Sequence, residues 1–449
     1  MKALVRVLPR VYGRCVACPV PSRLQSASCV RHKTIAVALS GGVDSSVAAL
    51  LLKRQGHKIF GIYMKNWEEE EEKGENKQVK HCSSAQDLLD VKSTCKQLDM
   101  ELKQVNFVKE YWTDVFEPML DGYLSDLTPN PDVACNRQIK FKLLLQHAFK
   151  LGADYLATGH YARLDHACDG TKLLRARDYN KDQSYFLSNV DGKCFDRVLF
   201  PLGDLLKSEV RNIAIEAHLP SARKRESMGL CFVGKRNFED FISNYIPDDD
   251  PDVRSKMGNF VDLETGQVYG AHKGTHFYTI GKGARISGAP TKLYVCEKRG
   301  SDIMVVPGTN HDALLSLSCL VGPPHWISGK LPEELAAGGE FRCQCRLRNL
   351  GDIVPCSLRV MSQERIREGS LPEKTCKYYN LRVPRGGEEG ELLILEVRFE
   401  EPQYAVAPGQ VCSFYQGDEC LGCGAILKSG PSLWAQRQQA ADGDSLAGP

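Results

Sequence analysis

Two cysteines, an aspartate and a turn rich in serine and glycine are the residues of this chain best equipped for covalent chemistry. The turn is Ser40-Gly41-Gly42-Val43-Asp44-Ser45-Ser46, where an apolar β-type run from Ile35 stops and a helix-forming run, Val47 to Leu52, begins at once. Glycines let backbone N–H groups approach oxygens closely, and the start of a helix favours negative charge. Ser40, Ser45 and Ser46 add hydroxyl donors, so the stretch reads as a cradle for a phosphate chain. No lysine stands at the turn, which excludes a Walker A loop, and Gly-x-Gly-x-x-Gly is absent.

Cys135 lies in Asn130-Pro131-Asp132-Val133-Ala134-Cys135-Asn136, just ahead of a basic helical run with Arg137, Lys140 and Lys142. Asn-Pro predicts a turn, and a thiol at a helix start beside cations is held more as thiolate. Asp132 is close enough along the turn to accept or donate a proton. Read alone, Cys135 is more at home as a small buried apolar residue. Cys231 lies in Glu226-Ser227-Met228-Gly229-Leu230-Cys231-Phe232-Val233-Gly234-Lys235-Arg236, with Arg223, Lys224 and Arg225 before it, and is a second candidate thiolate. Gly229-x4-Gly234-Lys235 imitates a Walker A loop, but Arg236 stands where a Ser or Thr would meet Mg²⁺ and no good strand precedes it. Thr158-Gly159-His160-Tyr161 follows a predicted strand, at a sheet end where ligands bind. His160 is placed there to meet a base or a phosphate. Asn180-Lys181-Asp182-Gln183-Ser184-Tyr185-Phe186 sets polar groups against aromatics, which suits a splayed single-stranded nucleotide.

The elements that must position these residues follow from periodicity. Lys58–Met64, Glu101–Phe107 and Asp154–Thr158 read as strands, and Ser83–Leu98, Tyr111–Leu127, Arg137–Leu151 and Leu202–Leu219 as helices. Their alternation predicts an α/β fold with a doubly wound parallel sheet and ligands at its carboxyl edge. The acidic run Glu68–Glu72 predicts a solvated loop. From about Asn237 short β-type runs replace long helices, Gly258–Tyr269 and His276–Ile280 among them, which predicts a small, mostly-β central domain. Glu340–Leu347, Ile353–Met361, Glu391–Phe399 and Gln410–Tyr415 predict a C-terminal β-barrel. The expected divisions are 1–32, 33–235, 236–306, 307–428 and a disordered tail over 429–449.

The chain has 449 residues and a formal net charge of +2, so no global basic footprint announces a nucleic acid. Seven Lys/Arg and no acid fall within residues 1–33. That arginine-rich, serine-bearing start predicts a mitochondrial transit peptide and a matrix location. No run approaches the ~18–20 apolar residues of a membrane span, so no membrane partner is expected. The 18 cysteines are scattered rather than spaced as a small disulfide scaffold. Most are expected reduced, with one pair free to cycle.

Ser40–Ser46 resembles the pyrophosphate loop of ATP-pyrophosphatases, and the motifs together resemble the bacterial and organellar tRNA-specific 2-thiouridylases, in their mitochondrial form. Met64-Lys65-Asn66-Trp67, Ala157-Thr158-Gly159-His160-Tyr161 and Gly229–Gly234 join the stretches above in carrying the likeness, from about Lys33 to Lys428. The resemblance implies that ATP, with Mg²⁺, sits on Ala38, Leu39, Ser40, Gly41, Gly42, Val43, Asp44 and Ser45, near Met64 and Gly159. It implies a wobble uridine flipped out to meet Asn130, Pro131 and Asp132, its C2 oxygen adenylated by ATP. Cys231 would carry a persulfide, whose terminal sulfur attacks C2, and Cys135 would free that sulfur or resolve the intermediate, leaving a transient Cys135–Cys231 disulfide. Asp132 would be the general acid or base. His160, Lys181, Asp182, Gln183, Arg348, Asn349 and Gln410 would contact tRNA. Implied partners are mitochondrial tRNAs of the Lys, Glu and Gln type and a sulfur donor, a cysteine desulfurase or relay protein, with no role for DNA. The chemistry needs two thiols, because a nucleophile that surrenders its outer sulfur does so by thiol exchange.

The chain departs from the family pattern in places. Glu226 replaces Asp, Tyr278–Arg285 differs from the family's Tyr-Thr-Ile-Gly-Gln-Arg-Lys-Gly, Arg348-Asn349 lacks the usual aromatic, and Cys420-Leu421-Gly422-Cys423 adds a Cys-x-x-Cys pair. Two competing readings remain open on the residues. Another ATP-pyrophosphatase, such as a lysidine synthetase or amidotransferase-type ligase, would use Ser40–Ser46 without needing both thiols. A non-catalytic RNA-binding or zinc module would not consume ATP.

Overall fold

The computed structural model describes residues 33–67, 83–167, 170–225, 238–246, 251–367, 371–381 and 392–445. The predicted transit peptide, the acidic run at 68–72 and the whole Cys231 motif at 226–236 lie outside them.

Strands β1 (Thr34–Ala38), β2 (Lys58–Lys65), β3 (Glu101–Asn106) and β4 (Tyr155–Ala157) fall where the apolar runs predict them. A hairpin, β5 (Ala162–Ala167) and β6 (Gly170–Arg175), precedes the short β7 (Val198–Leu199). The parallel sheet has the order β3-β2-β1-β4-β7. Helix α1 (Val43–Arg54) and α2 (Ser83–Gln97) cover one face. There Val47, Ala48, Val91 and Cys95 bury against Ile35 and Val37.

The next helices are more irregular than periodicity predicts, and the second is also longer. Val108–Tyr111, Trp112–Phe116 and Glu117–Leu124 run on as one helix, α3, with a π-wound middle. Pro131–Cys135, Asn136–Leu144 and Leu145–Lys150 likewise form α4. Pro131, of the Asn-Pro pair that predicts a turn, is the first residue of α4, where its missing N–H costs nothing. Helix α5 (Lys207–Glu216) is shorter than the predicted Leu202–Leu219, because Leu206 N donates to Glu209 Oε2 at 2.6 Å and closes the first turn there. Helix α6 (Phe238–Ser243) packs Phe241 and Ile242 into a cluster with Tyr111, Phe116, Met119, Cys135 and Ile139.

The central domain is a four-stranded sheet of β8 (Gly258–Asp262), β9 (Val268–His272), β10 (Leu293–Arg299) and β11 (Asp302–Pro307). His276–Ile280, expected as a strand, is instead the end of a 3₁₀ turn over Thr275–Phe277, then an extended Tyr278 and a second turn from Ile280. Burial of His276 and contact of its ring with Phe277, centroids 4.1 Å apart, hold that turn closed.

The barrel comprises β12 (Leu315–Val321), the short β13 (His325–Trp326), β14 (Glu340–Arg346), β15 (Val354–Val360), β16 (Leu395–Tyr404), β17 (Val411–Gln416) and β18 (Glu419–Ser429). Because β12 pairs with both β16 and β18, the order β12-β16-β15-β14-β17-β18 closes on itself. The hairpin β5–β6 does not stay with its own domain. Strand β6 pairs with β18, Leu173 opposite Cys420, and Leu173 shares a core with Tyr415, Cys420 and Ile327. The tail expected to be disordered holds a helix, α7 (Leu433–Ser445). Ser432 caps it by accepting from Ala435 N at 3.2 Å, and Arg437 pairs with Asp312. Its alanines and glutamines favour the helix once that cap is in place.

Candidate active site

The turn after β1 is tight for a stated reason. Gly41 has φ +75°, and a Cβ there would come within 2.6 Å of the Asp87 carbonyl oxygen on α2. Ser40 N donates to Ser45 Oγ at 3.2 Å, and Ser46 Oγ donates to the Gly42 carbonyl at 2.9 Å. Gly42 caps α1 without a side-chain acceptor, so backbone donors of the first turn face the space above the sheet's carboxyl edge. Ala38, Leu39 and Val43 are the partly or fully buried frame of this turn.

Asp44 is held in a polar cluster. Lys207 Nζ donates to both of its oxygens at 2.7 Å, and Tyr161 Oη donates to Oδ1 at 2.7 Å. Lys207 is buried at the start of α5, so a cation stands beside Asp44 of the glycine turn. On the other side Lys224 Nζ donates to the Gly41 carbonyl at 3.1 Å and to Asp87 Oδ1 at 2.6 Å. Those two carboxylates, Asp87 and Asp90, outweigh partial burial and raise the Lys224 ammonium above its usual value. Neither lysine was singled out from sequence as a site residue. Lys207 lies about 160 residues beyond Asp44, inside a run read only as helical, so nothing local tied it to the turn.

Gly159 brings the end of β4 against the turn, for a Cβ there would sit 2.8 Å from Ser45 N. His160, next along, is not a phosphate-gripping cation. Its Nδ1 lies 2.7 Å from Thr158 Oγ1 and its ring packs against Phe141 and Phe200. Burial, and then the charge of Lys140, depress its pKa well below the usual value and keep it neutral. Lys140 also acts on Asp132, where burial nonetheless prevails and raises the carboxyl.

Asn130 is the N-cap of α4, its Oδ1 accepting from Asp132 N at 3.2 Å and Val133 N at 3.3 Å. Cys135 therefore sits inside the helix, in its second turn, rather than ahead of it. Asp132 and Cys135 are three residues apart, which puts them on one helix face. Cys135 is 5% exposed. Met64, at the end of β2, packs against the core of the sheet and against the Cys135 cluster, and so joins them.

The predicted tRNA contacts divide. Asp182 is a correction, since its side chain has no exposure. It accepts from Ala176 N and Ser184 Oγ and pairs with Arg346 Nη1 at 2.9 Å, so it organises the loop from within. Gln183 Oε1 accepts from Tyr161 N, and Lys181 is half-buried beside it. Gln410 Nε2 donates to the Thr128 carbonyl at 2.8 Å, fastening the barrel to the turn before Asn130. Arg348 is exposed with its guanidinium 5.5 Å from the Tyr404 ring centroid, and Asn349 is half-buried next to the 86% exposed Leu350. Cys420 and Cys423 are buried in two different apolar clusters. Among the described residues no three His, Cys, Asp or Glu side chains gather as metal ligands. Among them, too, no helix is long and apolar enough to cross a membrane.

Residues 33–235 match the family described as tRNA methyl transferase HUP domain, 239–306 the tRNA methyl transferase PRC-barrel domain, and 390–426 the aminomethyltransferase beta-barrel domain. Mitochondrial tRNA-specific 2-thiouridylase 1 of Drosophila melanogaster is 40% identical over 91% of this chain and 98% of its own length. The chain belongs to the tRNA-specific 2-thiouridylase family. The Gallus gallus protein of the same name is 37% identical over 90% of this chain and 94% of its own. A tRNA-specific 2-thiouridylase MnmA of Bacillus pumilus is 41% identical over 89% and 97%. Among solved structures, that of NMN synthetase from Francisella tularensis aligns at a TM-score of 0.31 and 18% identity over 49% of this chain and 76% of that one, too low to carry an argument. In this 2-thiouridylase, then, Gly159 packs on the glycine turn, the neutral His160 beside it feels the charge of Lys140 as Asp132 does, and Asp132 shares a helix face with Cys135.

Proposed function

We propose that this chain thiolates C2 of the wobble uridine of mitochondrial tRNAs at the expense of ATP. The observations that carry the reading are the glycine turn closed by Gly159 and the acid–thiol pair Asp132 and Cys135 on one helix face. The uridine C2 oxygen attacks the α-phosphorus of ATP, pyrophosphate leaves, and C2 then bears AMP as its leaving group. Lys207 and the first turn of α1 lie beside the phosphates and favour their charge. Asp44 has both oxygens on Lys207, so magnesium would be carried chiefly by the phosphates. The outer sulfur of a Cys231 persulfide attacks C2. The Cys135 thiolate attacks the inner sulfur, breaks that S–S bond and leaves a Cys135–Cys231 disulfide, while AMP departs with the C2 oxygen. Asp132, its carboxyl raised by burial, is suited to hold a proton through these steps.

The reach of the chain supports the pairing. Lys224 is fixed on the glycine turn and Phe238 packs on Tyr123 with ring centroids 5.0 Å apart. Cys231 is seven residues from each of them, at most about 25 Å of extended chain. Lys181, Gln183 and Arg348 are proposed to meet tRNA, a sulfur donor to load Cys231, and residues 1–32 to direct the protein to mitochondria.

Wobble thiolation is expected to vanish in Cys231→Ser and to fall at least a hundredfold in Cys135→Ser, with AMP formation on tRNA persisting in both. Retarded migration of tRNA in mercury-containing gels reads the thiocarbonyl. Normal retardation with Cys231→Ser protein would falsify the sulfur route. If AMP were released without tRNA, a ligase of the same loop family would be the better reading.

A further inference from the structure

The barrel interior holds sulfur that the reaction above does not use. Cys343 and Cys345 on β14, Cys356 on β15, Cys412 on β17 and Cys319 on β12 belong to one apolar cluster. Within it Cys343 and Cys356 stand directly opposite each other on adjacent antiparallel strands, with their sulfurs 3.7 Å apart. Opposed residues in such a ladder have Cα atoms about 4.5–5.5 Å apart. A disulfide accepts about 4.4–6.8 Å. The sulfurs therefore need only a rotamer adjustment and a small closure to bond. Cys356 is 3% exposed, whereas Cys343 is half-buried and open to a small reagent.

We propose that Cys343 and Cys356 are a modification site, closed to a cross-strand disulfide by exchange with a low-molecular-weight disulfide such as oxidised glutathione. The half-buried Cys343 reacts first. Its thiolate attacks one sulfur of the reagent, and one glutathione leaves as thiolate and takes the proton. The Cys356 thiolate then attacks Cys343 Sγ, the mixed disulfide breaks, and the second glutathione leaves with the Cys356 proton. Two thiols lose two electrons and two protons, and one glutathione disulfide becomes two glutathiones. In the reduced pair hydrogen bonds from the Cys343 and Cys345 thiols push the Cys356 thiol down; once Cys343 is in the mixed disulfide its hydrogen bond is gone, and the one from Cys345 still favours the second step. The hydrogen bond to Cys356 and burial push Cys343 up, so the first step is the slower.

The test equilibrates the full chain in glutathione buffers from reduced to oxidised, alkylates free thiols and digests with trypsin. Peptide 343–346, alkylated once at Cys345, joined to peptide 349–359, two hydrogens lighter than the sum of that alkylated peptide and the second and released by dithiothreitol, is the expected product. Cys356→Ser and Cys343→Ser must lose it, and Cys345→Ser must keep it. Recovery of both peptides separately from wild type in oxidised buffer, alkylated or glutathionylated, overturns the proposal. So does a linkage that survives Cys343→Ser and disappears in Cys345→Ser. The wild-type measurement decides the first point without any variant.

Discussion

Asp132 works against its own surroundings. It sits in the first turn of α4, where a carboxylate is welcome, yet burial raises its pKa and the charge of Lys140 only partly offsets that. A folded-state value above the unfolded one means that the carboxyl's contribution to stability is present in acid and lost as pH rises through the folded pKa. At neutral pH its ionised form is therefore a cost. Asp132→Asn should raise the melting temperature at pH 7.5 by about 1–3 °C while thiolation drops at least tenfold. Equal activity in the two proteins would remove Asp132 from the chemistry. At this scale the sequence told polar from apolar well and told role poorly. Asp182 looked like an RNA contact because its neighbours are polar and aromatic, but the partner that buries it, Arg346, lies 164 residues away. His160 was legible as a sheet-end residue, whereas its neutrality depends on Phe141 and Phe200, which no local pattern ties to it.

Elements whose cause is local were the legible ones. The run β1–turn–α1 needs only an apolar strand, glycines and a helix start, all within twenty residues of sequence. Gly41 adds a constraint from afar, since α2 passes so close that only hydrogen fits on its Cα. Gly41→Ala combines a left-handed φ, about 1–2 kcal/mol for a residue with a Cβ, with a clash against backbone. Pyrophosphate release should fall more than tenfold while far-UV circular dichroism keeps its wild-type shape. A variant that turns over ATP at the normal rate would mean that the turn is not the nucleotide's seat. The π-wound stretches of α3 and α4 were not legible, because an extra residue per turn shifts the apolar stripe off the helical period. Nor was the 3₁₀ turn at Thr275–Phe277, which depends on burial of His276 rather than on any strand-breaking residue.

Across the whole molecule, the sequence separates a catalytic sheet from a barrel, and the backbone stitches them together. The hairpin β5–β6 leaves the first and is hydrogen-bonded into the second, and Arg163 and Asp418 pair across the seam at 2.6 Å. Asp126 adds a second junction, with Lys374 Nζ at 2.6 Å, Thr275 Oγ1 at 2.5 Å and the Lys298 ammonium on its carbonyl. Those contacts come from all three domains. Strand pairing between segments so far apart leaves no trace in local periodicity, which is why domain boundaries drawn from composition miss it. A chain ending at residue 306 should accordingly be insoluble or melt at least 10 °C lower, and the full chain should unfold in one calorimetric transition. Two well-separated transitions would contradict that coupling. The same stitch sets a timetable for synthesis. Roughly 240 residues lie between β6 and its partner β18. At ~5–20 residues per second a ribosome holds the hairpin's bare edge in the nascent polypeptide for ~12–50 seconds, an interval in which chaperones must keep it from neighbouring chains.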